Sequence, residues 1–303
     1  MRLGLMAVLA ALLSTAVPVW AYEEVTVTHG GTVQGRVTIT GGAPIHKGFN
    51  LVTFPDPVYC GRISTGTGWR ILEEFGIAPN GGLKDVVVML ADVPKGKPFQ
   101  FTPPTIEARD CRFMPFVTVV RDQQHVKIVN MDPVMHDIQA YETSKLGPRV
   151  LFNVPLPMNP HHPRSGVGSE YHKHLAGDPS VQLVHMTKDR RIFVMQCGFH
   201  AYMESWGLAV ENPYYAITSA DGTYAIPDVP PGEYTLVAWH PQTGPMVERK
   251  VTVPAKGNVA ANFELKSPTG HRSAHEIVEN PHFGLEALGR SLDIKPTLEL
   301  QKP

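Results

Sequence analysis

The segment Cys197-Gly198-Phe199-His200-Ala201-Tyr202-Met203 carries a thiol, an imidazole three residues on and a thioether three beyond that. A strand ending at Cys197, followed by a tight loop, can turn all three donors toward one ion. Upstream, Val126 to His136 (VKIVNMDPVMH) reads as a strand, a turn bearing Asn130 and Asp132, and then His136. His136, Cys197 and His200 together make a His₂Cys trigonal set. Met203 supplies the weak, long axial ligand of a blue-copper electron-transfer site. Soft sulfur favours Cu(I) and imidazole suits Cu(II), so a rigid mixed set rearranges little between the two states. The expectation is one mononuclear type 1 copper ion. A closed zinc site would draw on more Cys or His and not on a thioether. The loop has no second thiolate for a binuclear centre, and no C-x-x-C-H for haem attachment is present.

Cys60 and Cys111 complete the three cysteines. In an oxidising compartment the favoured reading is a disulfide between them. Closing a loop of about 50 residues contributes roughly 3–4 kcal/mol in the chain-entropy model. That pairing leaves Cys197 as the free thiol, whereas a pairing that used Cys197 would destroy the metal set. His161, His162, His172, His174 and His185 invite a second site, with His172 and His174 on one face of an extended segment. Without an acidic partner or fixed spacing, a solvated irregular loop is favoured; such a loop could instead cover the copper site or shape a partner surface. His240 ends a strand and reads as structural. Phe199, Tyr202 and Trp206 read as packing around the ligand loop, with an exposed edge of His200 as an electron port.

The elements that must hold these residues read as short strands. Thr32 to Thr40, Leu83 to Leu90, Phe116 to Val120, His125 to Asn130 and His136 to Tyr141 are β-like, as are Val181 to Met186 and Arg191 to Cys197. Asp221-Gly222 and Pro230-Pro231-Gly232 read as hairpin markers. The expected class is all-β: two Greek-key β-sandwich modules, a long His-rich loop at 153–180 and a mostly irregular tail at 267–303. With 28 Pro and 27 Gly in 303 residues, the composition favours a turn-rich β protein over a helix bundle. A formal net charge of −1 argues against a nucleic-acid binder. Residues 1–21 have the layout of a secretory signal: Arg2, a short apolar run, and a small residue, Ala21, at the cut. No later segment is apolar enough to span a membrane, so the expectation is an exported protein, periplasmic or extracellular.

At the ligand residues the sequence resembles the cupredoxins, the small blue-copper electron carriers. The C-x-x-H-x-x-M spacing is most similar to the amicyanin type. The resemblance covers about Val117 to Asn212 and implies His136, Cys197 and His200 as equatorial ligands with Met203 axial. It further implies that Asn130 pins the two ligand loops together by hydrogen bonds. The 61 positions from His136 to Cys197 exceed what a minimal cupredoxin needs, and the His-rich loop accounts for the excess.

A second resemblance lies at Thr218 to Leu236, whose T-x-x-D-G-x-Y-x-I-x-x-V-P-P-G-x-Y-x-L run looks like the carboxypeptidase regulatory-like, transthyretin-like β-sandwich. Gly31, Gly35 and Gly42-Ala43-Pro44 resemble that family's first strand and turn. The sequence leaves open whether residues 22–100 and 213–266 join in one sandwich, with a cupredoxin-like unit at 101–212 between them. The function expected is single-electron transfer between redox partners, such as a cytochrome or a copper enzyme. A non-redox docking module for protein or carbohydrate competes with it. A copper oxidoreductase is disfavoured because Met203 would occupy the axial position. No G-x-S-x-G, H-E-x-x-H or G-x-x-x-x-G-K motif occurs.

Overall fold

The computed structural model describes residues 22–42, 44, 46–64, 68–142, 148–162, 174–187 and 190–268, and the backbone of 286–287 and 290–291. The secretory signal read at 1–21, His172, and most of the tail at 267–303 lie outside the described residues. The N-terminal strands are β1 (Glu23–Glu24), β2 (Gly31–Thr40), β3 (Gly48–Asn50), β4 (Trp69–Ile71), β5 (Val87–Ala91) and β6 (Lys95–Gly96), with the short helix α1 (Pro57–Cys60) between β3 and β4. The middle strands are β7 (Thr105–Ala108), β8 (Phe113–Met114), β9 (Val117–Arg121), β10 (Gln124–Asn130), β11 (His136–Glu142), β12 (Arg149–Leu156), β13 (Ser180–Val184), β14 (Ile192–Gln196) and β15 (Glu204–Val210). The last group is β16 (Tyr215–Ile217), β17 (Thr223–Val229), β18 (Gly232–Trp239), β19 (Val247–Val253), β20 (Asn258–Ala260) and β21 (Phe263–Lys266).

These strands form two β-sandwiches. In the middle one a sheet β13-β10-β7-β8 faces a sheet β12-β11-β14-β15-β9. Ile106, Val126 and Ile128 of the first meet Ile138, Phe193 and Met195 of the second in a dry core. In the other sandwich β16-β5-β18-β19 faces β17-β2-β20, with β21 continuing along β2. Strands from both flanks of the sequence thus pair directly: β5 lies between β16 and β18, and β2 between β17 and β20.

The two sandwiches share a wall. Along β5, Val88 and Leu90 enter the flanking core while Val87 and Met89 point the other way. Along β18, Leu236 and Ala238 face inward while Val237 and Trp239 face outward. The outward set packs on Val117 and Val119 of β9 and on Leu208 and Val210 of β15. A strand buried on both faces carries a continuous apolar run, which is why VVVML contains no polar residue.

Four local readings differ from the structure. The Leu83–Leu90 run becomes regular strand only at Val87, because Asp85 takes a left-handed conformation (φ 62°) and bends the chain. Asp221-Gly222 and Pro230-Pro231-Gly232 do turn the chain, but their flanking strands join opposite sheets and not hairpins. Val181–Met186 and Arg191–Cys197 are separated in the same way, since β13 pairs with β10 and β14 with β11 and β15. Turn residues specify a reversal, and burial decides which sheet receives the next strand. The expected loop at 153–180 opens on strand, because β12 runs to Leu156 and buries Phe152 and Leu156 against β11. Finally, residues 49–72 pack on the middle sandwich, where Leu51, Tyr59, Cys60, Ile63 and Leu72 join its core.

Strand β11 (HDIQAYE) alternates without fault, so His136, Ile138, Ala140 and Glu142 all face inward. Glu142 ends that row fully buried. Arg149 Nε donates to it at 2.7 Å, Arg190 Nη1 at 2.9 Å and the Thr187 backbone N–H at 2.8 Å, with the Thr187 hydroxyl as a further donor. Burial alone would raise its pKa. The hydrogen bonds from Arg149 and Thr187 outweigh burial and hold the carboxyl at about 2. Because the folded value lies below the unfolded one, its stabilisation is complete above the unfolded pKa of roughly 4.5 and is lost as pH falls toward 2. Glu142→Gln should therefore lower the unfolding free energy by roughly 2–3 kcal/mol at pH 7 and by much less at pH 2.5, as read from urea melts at both pH values.

Candidate metal centre

Two local rules bring the centre together. Phe193 and Met195 of β14 point into the core, and the same alternation carried two residues further buries Cys197 on that face. Ala140 of β11 pairs with Met195 and Gln139 with Gln196, so His136, two residues before Ile138 on the inner face, comes level with the ligand loop. The loop closes on itself: the Cys197 N–H donates to the Met203 carbonyl at 3.2 Å, and the Met203 N–H to the His200 carbonyl at 2.8 Å. Gly198 donates its N–H to Asp137 Oδ1, joining the loop to β11. A Cβ at residue 198 would meet Gln139 Nε2 at 2.4 Å and Asp137 Oδ2 at 2.9 Å, so any larger residue there must displace those two side-chain ends.

His136, Cys197 and His200 offer ligand atoms that all lie within 4.8 Å of one another. The two Nδ1 atoms are 3.2 Å apart, and Cys197 Sγ is 3.7 Å from His200 Nδ1. Donors bound to one metal at about 2.0–2.3 Å and spread near 120° would be about 3.6 Å apart. Met203 is fully buried in the same core cluster as Cys197.

The outer faces of the rings fix their hydrogens. His200 Nε2 lies 3.1 Å from the Pro55 carbonyl, which can only accept, so Nε2 carries the proton. His136 Nε2 lies 2.9 Å from the Asp132 carboxylate, which also accepts. Both Nδ1 lone pairs therefore converge beside a buried sulfur. An electron-deficient centre, a proton or a metal ion, must lie among them. Burial first, and His136 second, lower the His200 pKa, so that ring is a neutral donor at pH 7. Burial pushes the Cys197 thiol up to about 11, so a metal must displace its proton. Two nitrogens and one sulfur, all dry and held from behind, fit copper.

Asn130 has a narrower role than the resemblance implies. Its amide N–H groups donate to Val134, Leu156 and Pro157 carbonyls, and its Oδ1 accepts from the Asp132 N–H. It fixes the 130–136 turn against the end of β12, while Asp137 makes the link to the 197–203 loop. The expected electron port is also absent at His200. That ring is fully buried under Pro55 and Asp56, and Phe199 beside it is the exposed residue. Tyr202 is buried next to His200, Trp206 packs on the wall between the sandwiches, and His240 is buried and stacked on Phe75 at 5.3 Å.

The covering segment is the part that sequence reasoning missed. Cys60 and Cys111 form a disulfide with an S–S distance of 2.03 Å, leaving Cys197 free and buried. Cys60 Sγ lies 3.8 Å from His200 Nε2, so the staple holds residues 55–60 down on the ligand ring. Tyr59 OH donates to Asp132 at 2.9 Å, and the N–H groups of Asp110 and Cys111 donate to the same carboxylate at 2.7 and 2.8 Å. Of the His-rich loop, His174 Nε2 lies 3.2 Å from Asp110 Oδ1, the acidic partner that the sequence did not reveal. The only sequence signal for this cover was the cysteine pair itself.

Comparison with known proteins yields one family match. Residues 208–266 match the model for the carboxypeptidase regulatory-like domain. That carboxypeptidase regulatory-like segment begins inside β15 and holds β16 to β21, but its two sheets are completed by β2 and β5 from outside it. No curated protein matches the chain. Among solved structures, the purple cupredoxin from Nitrosopumilus maritimus is similar at 16% identity and TM-score 0.25, covering 35% of this chain and 99% of that one. The Cu-containing nitrite reductase from Thermus scotoductus is similar at 18% and 0.25, covering 38% of this chain and 24% of that one. Auracyanin from Roseiflexus castenholzii is similar at 10% and 0.24, covering 36% and 98%.

Because the disulfide holds the cover over His200, Cys60→Ala/Cys111→Ala should lower stability by about 3–4 kcal/mol in chemical melts. It should also make the 49–63 backbone exchange amide hydrogens faster than β11 and β14, as read by mass spectrometry.

Proposed function

We propose that this chain is an exported copper protein that exchanges single electrons with redox partners through one mononuclear type 1 centre. His136, Cys197 and His200 would hold the ion, and the buried Met203 thioether would be a fourth, weaker donor. Copper bound there would supply a one-electron Cu(II)/Cu(I) couple. The chain's own residues supply the rest. Asp132 and Pro55 hold each imidazole in one tautomer, Asp137 holds the loop against β11, and the dry core excludes water. The observation that carries the reading is the convergence of two Nδ1 lone pairs, 3.2 Å apart, beside the free thiol.

With His200 covered, contact with a partner falls to the exposed neighbours of the ligands. Met135 and Phe199 are 42% exposed each and adjoin His136 and His200 in sequence. The flanking sandwich, fused through a shared wall, would serve as a rigid mount for docking.

Copper titration of the protein should produce an intense visible absorption at one equivalent. The band should disappear in Cys197→Ser and be strongly weakened in His136→Ala, with circular dichroism unchanged in both. Folded wild-type protein that stays colourless with Cu(II) would overturn the proposal. An unaltered band in Cys197→Ser would do the same.

A further inference from the structure

Between the two sandwiches lies a cavity of ≈ 250 Å³, away from the inner faces of His136 and His200. Arg70 of β4, Arg112 before β8, and Tyr202 of the ligand loop line it. Arg70 is 4% exposed, yet its Nε and Nη1 make no hydrogen bond to any described residue. The same holds for Arg112 Nε and the Tyr202 hydroxyl. Leaving two nitrogens of a buried guanidinium without an acceptor is costly, so this is an unusual thing for a fold to keep.

Of the carboxylates around the cavity, Glu73 raises the Arg70 pKa by its charge, against the larger lowering by burial, but makes no hydrogen bond or ion pair with it, and the others are engaged elsewhere. Glu74 pairs with Lys47 at 3.2 Å, and Asp85 with Lys84 at 3.4 Å. Glu204 Oε1 accepts from Trp206 Nε1 at 2.6 Å and from Gln242 Nε2 at 3.2 Å. What the cavity lacks is an acceptor that reaches Arg70, Arg112 and Tyr202 together. Burial first, and the Arg112 charge second, bring Arg70 down to about 10, so it stays cationic at neutral pH. The Tyr202 hydroxyl is a phenol, a ready donor to an anion.

We infer that this cavity is a binding site for a small anion, a carboxylate or an inorganic oxyanion, held by Arg70 and Arg112 with Tyr202 as a third donor. Planar guanidinium groups match the paired oxygens of such anions, and pockets between packed modules are common ligand sites. The site stands whether or not the His136–Cys197–His200 cluster takes copper.

The test is calorimetric titration of the full-length protein with sodium succinate and, separately, sodium sulfate, at ionic strength fixed with sodium chloride. Both copper-treated and chelator-treated protein are used. Saturable 1:1 binding of at least one anion is expected in both preparations. Succinate alone would assign a carboxylate ligand and sulfate alone an inorganic oxyanion. Affinity should fall at least tenfold in Arg70→Met and in Arg112→Gln. Arg112 is only half-buried, so the second variant is expected to fold even if the first does not. In chloride alone, Arg70→Met should melt no lower than wild type, since it removes a buried guanidinium with two nitrogens lacking acceptors. The absence of saturable binding by either anion would overturn the inference and leave water as the occupant. Equal affinity in wild type and both variants would also overturn it.

Discussion

One buried carboxylate ties the candidate centre to the rest of the molecule. Asp132 is fully buried and accepts from four donors: Tyr59 OH, the Asp110 and Cys111 N–H groups, and His136 Nε2. A carboxylate in a dry core is tolerable only when its lone pairs are used, and here they are used by three separate parts of the chain. The cover contributes Tyr59, the β7–β8 turn contributes two amides, and β11 contributes the ligand ring. Removing any one part leaves the charge under-satisfied. The ring orientation, the placement of the disulfide and the burial of the centre are therefore one coupled constraint.

That coupling also divides what the sequence shows from what it hides. His136, Cys197 and His200 are legible because strand alternation and a seven-residue loop are local, and each donor's direction follows from its neighbours. Cys60 and Cys111 are legible because two cysteines remain after Cys197 is assigned. The donors to Asp132 are not legible. Tyr59 lies 73 residues away, and the Asp110 and Cys111 amides 22 and 21 residues away. Within the turn, Asp132 itself reads only as a turn residue before Pro133. The exposed His200 edge expected beside the loop's aromatic residues fails for the same reason, since residues 49–63 looked like part of another module. Sheet membership is hidden likewise. The turns at Asp221-Gly222 and Pro230-Pro231-Gly232 are clear, yet pairing with β2 and β5 depends on strands more than a hundred residues earlier.

The shared wall explains why the flanks of the sequence wrap the middle. β5 and β18 each supply one face to their own core and the other to β9 and β15. An apolar outer face on either sandwich alone would be left in water, and burying it between the two is worth about 25 cal/mol per Å². The middle unit is therefore bounded on one side by the flanking sandwich and on another by the stapled cover. Those two boundaries account for the cavity between Arg70 and Arg112. The cover strand β4 carries Arg70 to the seam, and the turn into β8 carries Arg112.

Tyr202 stands where these features meet. Its ring lies 5.6 Å from His200 on one side and packs on Phe54 of the cover at 5.2 Å, and the residue also lines the cavity. The residue after it is Met203, whose backbone closes the ligand loop onto Cys197 and His200. A group that hydrogen-bonds the Tyr202 hydroxyl would reach Met203 only through the peptide link between the two residues. Such an effect needs differential contact in two states, and the stapled cover restricts how far the ring can travel. The geometry therefore favours small adjustments of a preformed cluster over opening and closing.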